Sequence, residues 1–237
     1  MREVSFVDGN FYHIYNRGVA RLPIFLDESD YARFVHDLYE FNDVHPALDA
    51  RVKARISEVG PPRLRREPVV AILAWCLMPN HFHLLLQQRI DNGVSFFMKK
   101  LGTGFTMYMN QKYERSGHVF QGKFRAKHID TQGYLLHISR YIHLNSIDLV
   151  DPNWKEQGIR DWGSVQKFLE EFRWSSYQDW IGKKNFPSVL NRSGIDGLFK
   201  GSEDYKRFIS EWAARDYHTI REMLADSFRR SNLRNIL

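Results

Sequence analysis

The chain has 237 residues, of which 43% are hydrophobic and 26% are charged, a composition that excludes a disordered tail or a repeat array. No stretch approaches the roughly 20 apolar residues of a membrane-spanning helix, so we expect no membrane partner. The 34 Lys and Arg outnumber the 28 Asp and Glu, which gives a formal net charge of +6, and 14% of the residues are aromatic. This balance favours a polyanionic partner such as nucleic acid, although a merely basic surface fits the composition equally well.

Cysteine usage restricts the chemistry available to the chain. Cys76 is its single cysteine, so neither an internal disulfide nor a zinc site built on several cysteines can form. The residues after Met1 are mixed and polar, without the apolar core of a signal peptide. We therefore expect a protein of the reducing cytoplasm.

The N-terminal part of the chain predicts a strand, a helix and a connector. Residues 11–15 are aromatic and β-branched, as in a strand, and are followed by a turn. Apolar residues recur at helical spacing over 29–41. Residues 42–67 are rich in Pro, Lys and Arg and are interpreted as a basic connector that contains a short helix at 47–58.

The middle of the chain alternates strands and helices. Two apolar runs at 69–77 and 81–87 predict paired strands. Helical spacing of apolar residues follows over 93–113, and residues 119–129 alternate well enough to predict one long strand. Residues 131–146 predict a further helix that begins at a threonine cap.

This order of elements predicts the fold class. The series β-α-β-β-α-β, followed by one more helix, is typical of an α+β protein with a ferredoxin-like split βαβ core, an antiparallel sheet with helices on one face. We expect this core to form a domain over residues 1–150, and residues 151–237 to form a mostly helical C-terminal extension. Helical spacing in the extension occurs at 165–171, 205–215 and 218–229.

Two histidines in the second central strand are the first candidates for chemistry. His81 and His83 are two positions apart, so they lie on the same face of a sheet, whereas Phe82 points to the opposite face. Two neutral imidazoles aimed at one point form half of a metal site. On the predicted helix 131–146, Asn145 offers an amide oxygen as a third ligand, and Tyr141 lies one turn before it. The alternative is a solvated or hydrogen-bonded histidine pair.

Three other residues of the same helix compete for a role. His137 lies one turn before Tyr141 on the same line and is a candidate to assist the site. Tyr134 lies on nearly the same helical face as Tyr141, but no Asn or Gln follows it four residues later, and packing is its alternative role. His143 faces away and is expected to be structural or surface-exposed.

Several motifs resemble a known family. The sequence WCLMPNHFHLLL at 75–86 is followed by SGHVFQGKF at 116–124 and by RYIHLN at 140–145. These segments resemble the single-tyrosine HUH transposases, and more narrowly the REP-associated tyrosine transposases of the IS200/IS605 superfamily. YHIYNRG at 12–18 and WSSY at 174–177 also fit this pattern. The resemblance extends over roughly residues 5–180.

The resemblance implies an enzyme that nicks single-stranded DNA and transfers the cut strand. It assigns Mg²⁺ or Mn²⁺ to His81 and His83, with Asn145 completing the site where other IS200/IS605 members carry Gln. Tyr141 is the implied nucleophile, which forms a 5′-phosphotyrosine adduct and leaves a free 3′-hydroxyl. Because transesterification conserves the phosphodiester bond energy, no nucleotide cofactor is needed, and the chain carries no phosphate-binding G-x-x-x-x-G-K-[ST] loop.

Two further interpretations stay open at this point. A domesticated protein with the same residues would bind DNA hairpins without cutting them. A metallo-phosphoesterase would use the same metal ligands to activate water instead of Tyr141. The family's targets are short imperfect palindromes that fold as hairpins, and its members act as monomers or as homodimers.

The DNA-holding surface is predicted from basic and aromatic residues. Lys123, Arg125 and Lys127 alternate along the predicted strand 119–129, so we expect them to share one face and to form a basic stripe. The preceding helix and the first turn supply further cations, although lysines on a solvated edge strand are an equally good explanation. Aromatic rings are candidates to stack on unpaired bases, with core packing as the alternative. The basic candidates are Arg17, Lys99, Lys100, Lys112, Arg115, Lys123, Arg125 and Lys127, and the aromatic ones are Phe120, Phe124, Trp174, Tyr177 and Trp180.

Overall fold

Residues 4–45 and 66–213 are described by the computed structural model. The helices predicted at 47–58 and 218–229 lie outside the described residues. Within the described residues, no helix is long and apolar enough to cross a membrane.

A four-stranded sheet organises the described chain. All neighbouring strands are antiparallel, and their order is β2-β3-β1-β4. This is the strand order of a ferredoxin-like split βαβ core, and it confirms the predicted fold class. The strands are β1 (Phe11–Arg17), β2 (Val70–Met78), β3 (His81–Gln88) and β4 (Arg125–Ile129).

The strand predicted over 119–129 is shorter than expected. Only β4 is regular, because residues 121–124 leave the ladder between the isolated antiparallel bridge of Gly18 with Phe120 and the first regular pair, Tyr15 with Arg125. The Gln121 amide donates to the carbonyl of Arg17 (2.9 Å), and the side chain of Asn16 donates to the carbonyl of Gly122 (3.0 Å). Gly18 takes part in this bridge, and a Cβ there would lie 2.1 Å from the carbonyl oxygen of Leu22. The position therefore accepts only glycine.

Two helices cover one face of the sheet, as predicted. They are α1 (Glu28–Glu40) and α2 (Gly93–Lys112). Strand alternation directs Ile14 and Leu84 to this face, where they pack with Phe34 of α1 and Phe105 of α2. Phe82 also points to this face, so the predicted separation of Phe82 from its neighbouring histidines is confirmed.

The opposite face is covered too, which the prediction of helices on one face did not anticipate. Helix α3 (Gln132–Leu144) packs there and begins at Thr131, whose hydroxyl accepts from the amide of Tyr134 (3.2 Å). A 3₁₀ turn at Asn145–Leu149 follows it directly. The physical reason lies in β2, which is buried along its whole length. A strand that is apolar on both faces needs a cover on each.

The C-terminal segment continues this second cover. The helices predicted at 165–171 and 205–215 are confirmed as α5 and α7, although α7 is described only as far as Ala213. The domain boundary at residue 150 stays a prediction, and one apolar cluster contains residues from both sides of it. The helices of this segment are α4 (Trp154–Gln157), α5 (Trp162–Glu171), α6 (Tyr177–Trp180) and α7 (Ser202–Ala213).

The segment also binds the outer edge of β2. The amide of Leu77 donates to the carbonyl of Trp174 (2.9 Å), and the amide of Ser176 donates to the carbonyl of Trp75 (2.9 Å). Further along the strand, the indole nitrogen of Trp180 donates to the carbonyl of Leu73 (2.9 Å). These bonds satisfy backbone groups that an exposed edge strand would leave open.

A buried carboxylate joins α1 to the end of α2. Asp30 is fully buried and takes part with Asp27 in the capping box of α1. Lys112 donates to it at 2.7 Å, and the hydroxyls of Tyr113 and Tyr108 donate at 2.8 and 3.0 Å. Burial alone would raise the pKa of Asp30, but these hydrogen bonds hold it below its usual value.

Replacing Asp30 by Asn is expected to lower the free energy of unfolding by about 2 kcal/mol at pH 7, because a hydrogen-bonded charge is removed. Since the folded pKa of Asp30 is depressed, the carboxylate stabilises the fold above about pH 4 and loses its effect on further acidification. Urea unfolding measures the difference. The matched control is Glu28→Gln, an exposed residue in the same helical turn, with an expected change of about 0.5 kcal/mol or less. Equal effects of the two substitutions would contradict this role of Asp30.

Candidate active site

The sheet face beneath α3 carries a polar cluster in the middle of an otherwise apolar layer. Strand pairing places Arg17 opposite His81, and Tyr15 opposite His83. Residues directly opposite each other in an antiparallel pair share a face. On the other side of β1, Arg125 lies opposite Tyr15 and Lys127 lies opposite His13. We call this set of seven residues the site face: His13, Tyr15, Arg17, His81, His83, Arg125 and Lys127.

His81 and Asn145 meet above the site face. Nδ1 of His81 lies 2.6 Å from Oδ1 of Asn80, and Nε2 lies 3.4 Å from Oδ1 of Asn145. An amide oxygen only accepts, so the hydrogen-bond network assigns the proton to Nδ1 and leaves Nε2 with a lone pair. That lone pair and the oxygen of Asn145 are then two acceptors facing each other, the arrangement that a bound cation stabilises.

The second histidine completes a nitrogen and oxygen donor set. The rings of His81 and His83 are 5.1 Å apart and perpendicular. Nδ2 of Asn145 is buried and has no hydrogen-bond partner among the described residues. No protein hydrogen bond from this nitrogen therefore fixes the orientation of the Asn145 side chain. Two imidazoles and one amide fit a divalent cation. No group of three or more His, Cys, Asp and Glu in the described part of the chain could hold a metal, so a site here depends on Asn145.

Burial keeps the two histidines neutral. Burial lowers the pKa of His81, and the oxygen of Asn145, which can accept a hydrogen bond from a protonated Nε2, only partly opposes this effect. Burial also lowers the pKa of His83 well below its usual value, with a contribution from His13. Neutral imidazole is the form that binds metals. The ligand form is therefore present throughout the neutral pH range.

Tyr141 lies at the edge of this cluster. Its ring is 5.6 Å from that of His83 and 6.0 Å from that of His13, edge-on in both cases. Burial raises the pKa of the Tyr141 phenol, the Asn145 side chain partly offsets this, and Asp148 raises it further. An isolated phenol in this environment is a weak nucleophile at pH 7, so its reaction requires a nearby cation.

The other candidates on α3 separate clearly. His143 is fully buried, and its ring nitrogens contact the hydroxyls of Tyr205 (2.6 Å) and Ser176 (2.7 Å), as expected for a structural residue. Tyr134 packs at the margin of the apolar cluster. His137 contacts the guanidinium of Arg140 (3.4 Å), with its ring edge-on to a tryptophan.

Sequence reasoning missed His13, Tyr15 and Asn80 as members of the site. His13 contacts His83 directly, with 2.9 Å between its Nε2 and Nδ1 of His83. The ring of Tyr15 is 5.1 Å from that of His13 and 5.7 Å from that of His83. A signal existed, because His13 and Tyr15 alternate along β1 as His81 and His83 do along β3. The pairing of β1 with β3 that joins the two patterns is not visible in the chain itself.

The basic candidates fall on different surfaces. Arg17, Arg125 and Lys127 belong to the site face, where burial lowers the pKa of Lys127 to about 8. Lys123 precedes β4, so the predicted shared face with Arg125 and Lys127 was wrong for this residue. It lines a pocket of about 170 Å³ on the α2 side of the sheet, together with Lys99.

Three other basic candidates bind groups of the protein itself. Lys112 is held by Asp27 and Asp30. Lys100 donates to the backbone carbonyls of Asp43 (3.1 Å) and His45 (3.2 Å). Arg115 donates to the backbone carbonyl of His118 (3.2 Å). These three cations are therefore engaged within the protein and lie outside the site face.

The aromatic candidates divide in the same way. Trp174, Tyr177 and Trp180 are buried in the core. Phe120 and Phe124 are half-buried and line the pocket on the α2 side of the sheet.

Comparisons with known proteins find one family model that is similar to part of the chain. Residues 41–145, just under half of the chain, match the family model described as "Transposase IS200 like". No curated protein matches the chain.

Two solved structures are similar in shape. One is a REP-associated tyrosine transposase bound to a REP hairpin, with 15% identity, coverage of 85% of this chain and 95% of that chain, and a TM-score of 0.49. The other is a protein from Deinococcus radiodurans R1 provisionally described as a transposase, with 15% identity, coverage of 60% and 95%, and a TM-score of 0.34. At these values a structural likeness supports no statement about function.

The buried histidines are expected to make the metal-free protein sensitive to acid. Burial lowers the pKa of His13 to about 3, of His137 to about 4 and of His143 to about 3, and that of His83 also lies well below normal. As pH falls through the unfolded value near 6.5, only the unfolded chain takes up these protons. The slope contributed by each such histidine grows as the unfolded form becomes protonated and approaches about 1.4 kcal/mol of unfolding free energy per pH unit near pH 5.

Urea unfolding between pH 7 and pH 5 measures this slope. His143→Phe is expected to reduce the slope by the share of one histidine, whereas replacing the exposed His118 by Gln leaves it unchanged. An unfolding free energy that is constant over this range would contradict the buried neutral histidines.

Proposed function

We propose that this chain, whose residues 41–145 match the family model of IS200-like transposases, nicks and transfers single-stranded DNA through Tyr141, with a divalent metal held by His81, His83 and Asn145. One observation carries the proposal. The tyrosine lies edge-on to His83, next to a pair of facing acceptors, Nε2 of His81 and Oδ1 of Asn145. A phosphodiester placed there meets a nucleophile and a cation site together.

The proposed reaction is a transesterification. The phenolic oxygen of Tyr141 attacks the scissile phosphorus, and its proton passes to solvent. The bond between phosphorus and the 3′ oxygen breaks, and that oxygen takes up a proton to become a 3′-hydroxyl. The 5′ phosphate stays on Tyr141 until a 3′-hydroxyl, from the same or another strand, reverses the step. The phosphodiester energy is conserved, so no nucleotide cofactor is required.

The side chains of the site supply position and charge. His81, His83 and Asn145 would hold Mg²⁺ or Mn²⁺, which supplies charge neutralisation at the phosphate oxygens. Asn80 fixes the ring of His81 through its Nδ1 hydrogen. Arg17 and Arg125 lie on the site face opposite His81 and Tyr15, where they can receive the flanking phosphates.

The substrate is proposed to be a DNA hairpin with a single-stranded flank. The positive charge of the site face favours a polyanionic strand as the substrate. The motifs that resemble the REP-associated branch favour a hairpin formed by an imperfect palindrome. We place this activity in the cytoplasm, where the buried Cys76 stays reduced. The protein acts as a monomer or a homodimer, which sizing with and without hairpin DNA distinguishes.

Replacing Tyr141 by Phe is expected to abolish covalent capture of DNA. A hairpin oligonucleotide with a single-stranded flank, incubated with wild type and Mg²⁺ or Mn²⁺, gives a protein–DNA adduct that survives denaturing electrophoresis. The variant loses this adduct and cleavage by a factor of about 10³ or more, because the nucleophile is gone. Tyr134→Phe, a tyrosine two turns earlier on α3, keeps both.

The other outcomes identify the alternatives. Cleavage that survives in Tyr141→Phe, without an adduct, would assign the reaction to water and a metallo-phosphoesterase. Tight hairpin binding by wild type without cleavage in either metal would assign the chain to binding proteins.

Removing a cation from the site face is expected to weaken DNA binding. Arg17→Ala and Arg125→Ala each lower the affinity for the same oligonucleotide roughly ten-fold at low salt and reduce the slope of log K against log salt by about one, because one phosphate contact is lost. Fluorescence anisotropy in the presence of a metal chelator measures the affinity and its salt dependence while it prevents metal-dependent cleavage. Lys167→Ala removes the same charge from an exposed position on α5 and leaves the slope unchanged; an equal loss in this control would contradict a localised surface.

A further inference from the structure

His13 is a buried polar residue on β1 that the proposed chemistry does not yet use. It is 5% exposed, and Nε2 of His13 lies 2.9 Å from Nδ1 of His83. We propose that His13 is a positioning residue: it accepts a hydrogen bond from Nδ1 of His83 and thereby turns the other nitrogen of His83, Nε2, towards the metal. This inference rests on the proposed function, because it assigns His13 a role toward the metal of that site.

The backbone makes this contact a defined one. Tyr15, not His13, lies directly opposite His83 in the β1–β3 ladder, and Leu85 lies opposite His13. His13 therefore reaches His83 along the diagonal of the ladder, which long side chains can span. The two rings are stacked, 5.1 Å apart at 25° between planes. A diagonal contact of this kind restrains both the rotation and the tilt of the His83 ring.

The chemistry of two neutral imidazoles decides what the contact does. In such a pair one nitrogen donates and the other accepts. If His13 donated, His83 would carry its proton on Nε2 and would have no lone pair for a metal. If His83 donates from Nδ1, its Nε2 is free to bind. A ligand histidine ordinarily donates its second N–H to a fixed acceptor, and His13 is the group that the structure places there.

Three other side chains surround the ring of His13. Lys127 lies opposite it on β4. On the remaining sides the rings of Tyr15 and Tyr141 lie 5.1 and 6.0 Å away. These neighbours restrict the positions that the His13 ring can take beside His83.

The test compares two substitutions of similar size. His13→Phe keeps a stacked ring and loses the acceptor, whereas His13→Gln keeps an acceptor, because an amide oxygen can take the place of the imidazole nitrogen. His128→Phe is the matched control: it removes an exposed imidazole from β4 that faces the other side of the sheet, near Tyr12. Circular dichroism and thermal unfolding verify that each variant is folded.

Mn²⁺ binding to the DNA-free protein is measured by the electron paramagnetic resonance signal of the unbound ion. Loss of a hydrogen-bond partner of a metal ligand ordinarily costs 10-fold to 100-fold in affinity. We expect His13→Phe to bind Mn²⁺ about 10-fold to 100-fold more weakly than wild type, and His13→Gln and His128→Phe to bind within about three-fold of it. Equal affinity of folded His13→Phe and wild type would overturn the proposal.

A second readout reports the tautomer itself. In the metal-free wild type, ¹⁵N chemical shifts of the His83 ring are expected to show the proton on Nδ1, and in His13→Phe this preference is lost. A proton on Nε2 of His83 in wild type would overturn the proposal even if affinities changed.

The design separates this inference from the proposed function. If wild type binds Mn²⁺ no better than His81→Ala, the metal site fails, and the role of His13 fails with it. If wild type binds and His81→Ala does not, but His13→Phe binds like wild type, only the role of His13 fails.

Discussion

The pairing of β1 with β3 is the constraint on which the rest of the structure depends. In this register Tyr12, Ile14 and Leu84 point into the apolar layer under α1 and α2, while His13 and His83 point to the other side. A slip of one residue would exchange the two faces of a strand. It would place imidazoles in an apolar core and Tyr12 beneath α3. The hydrophobic effect that orders the core therefore also orders the site.

Burying polar groups costs free energy because they lose contact with water. The donor set of this site contains no carboxylate, so no ionised ligand has to be buried. Its histidines stay neutral because burial disfavours their charge, and two of them contact each other. A divalent cation bound there would have no carboxylate among its ligands, and Asp148, the anion that acts on both His81 and Tyr141, is paired with Lys155. Its positive charge would be available to the substrate phosphate and to the phenolate of Tyr141, which suits a site that must attract a polyanion.

The elements that could be predicted are those set by local periodicity. Alternation placed His81 and His83 together and Phe82 opposite, and helical spacing placed Tyr141 one turn before Asn145. The contribution of His13 could not be predicted, because it depends on which strand pairs with β3 and in what register. The predicted start of the last strand at residue 119 was wrong for a similar reason. Asn16 and Arg17 bind the residues before β4, and a partner so distant in the sequence does not affect the local pattern of apolar residues. The burial of β2 on both faces did leave a mark, since a continuous apolar run at 69–77 is typical of a strand covered on each side.

The bonds between the C-terminal segment and β2 have a consequence for assembly. Ser175 forms a β-bridge with Cys76, and the neighbouring amides and carbonyls are paired within the chain. This margin of the sheet is thus closed to strand addition by a second molecule. A complex that formed by extending the sheet would first have to displace Trp174 and Ser176, so self-association along β2 competes directly with the protein's own folding.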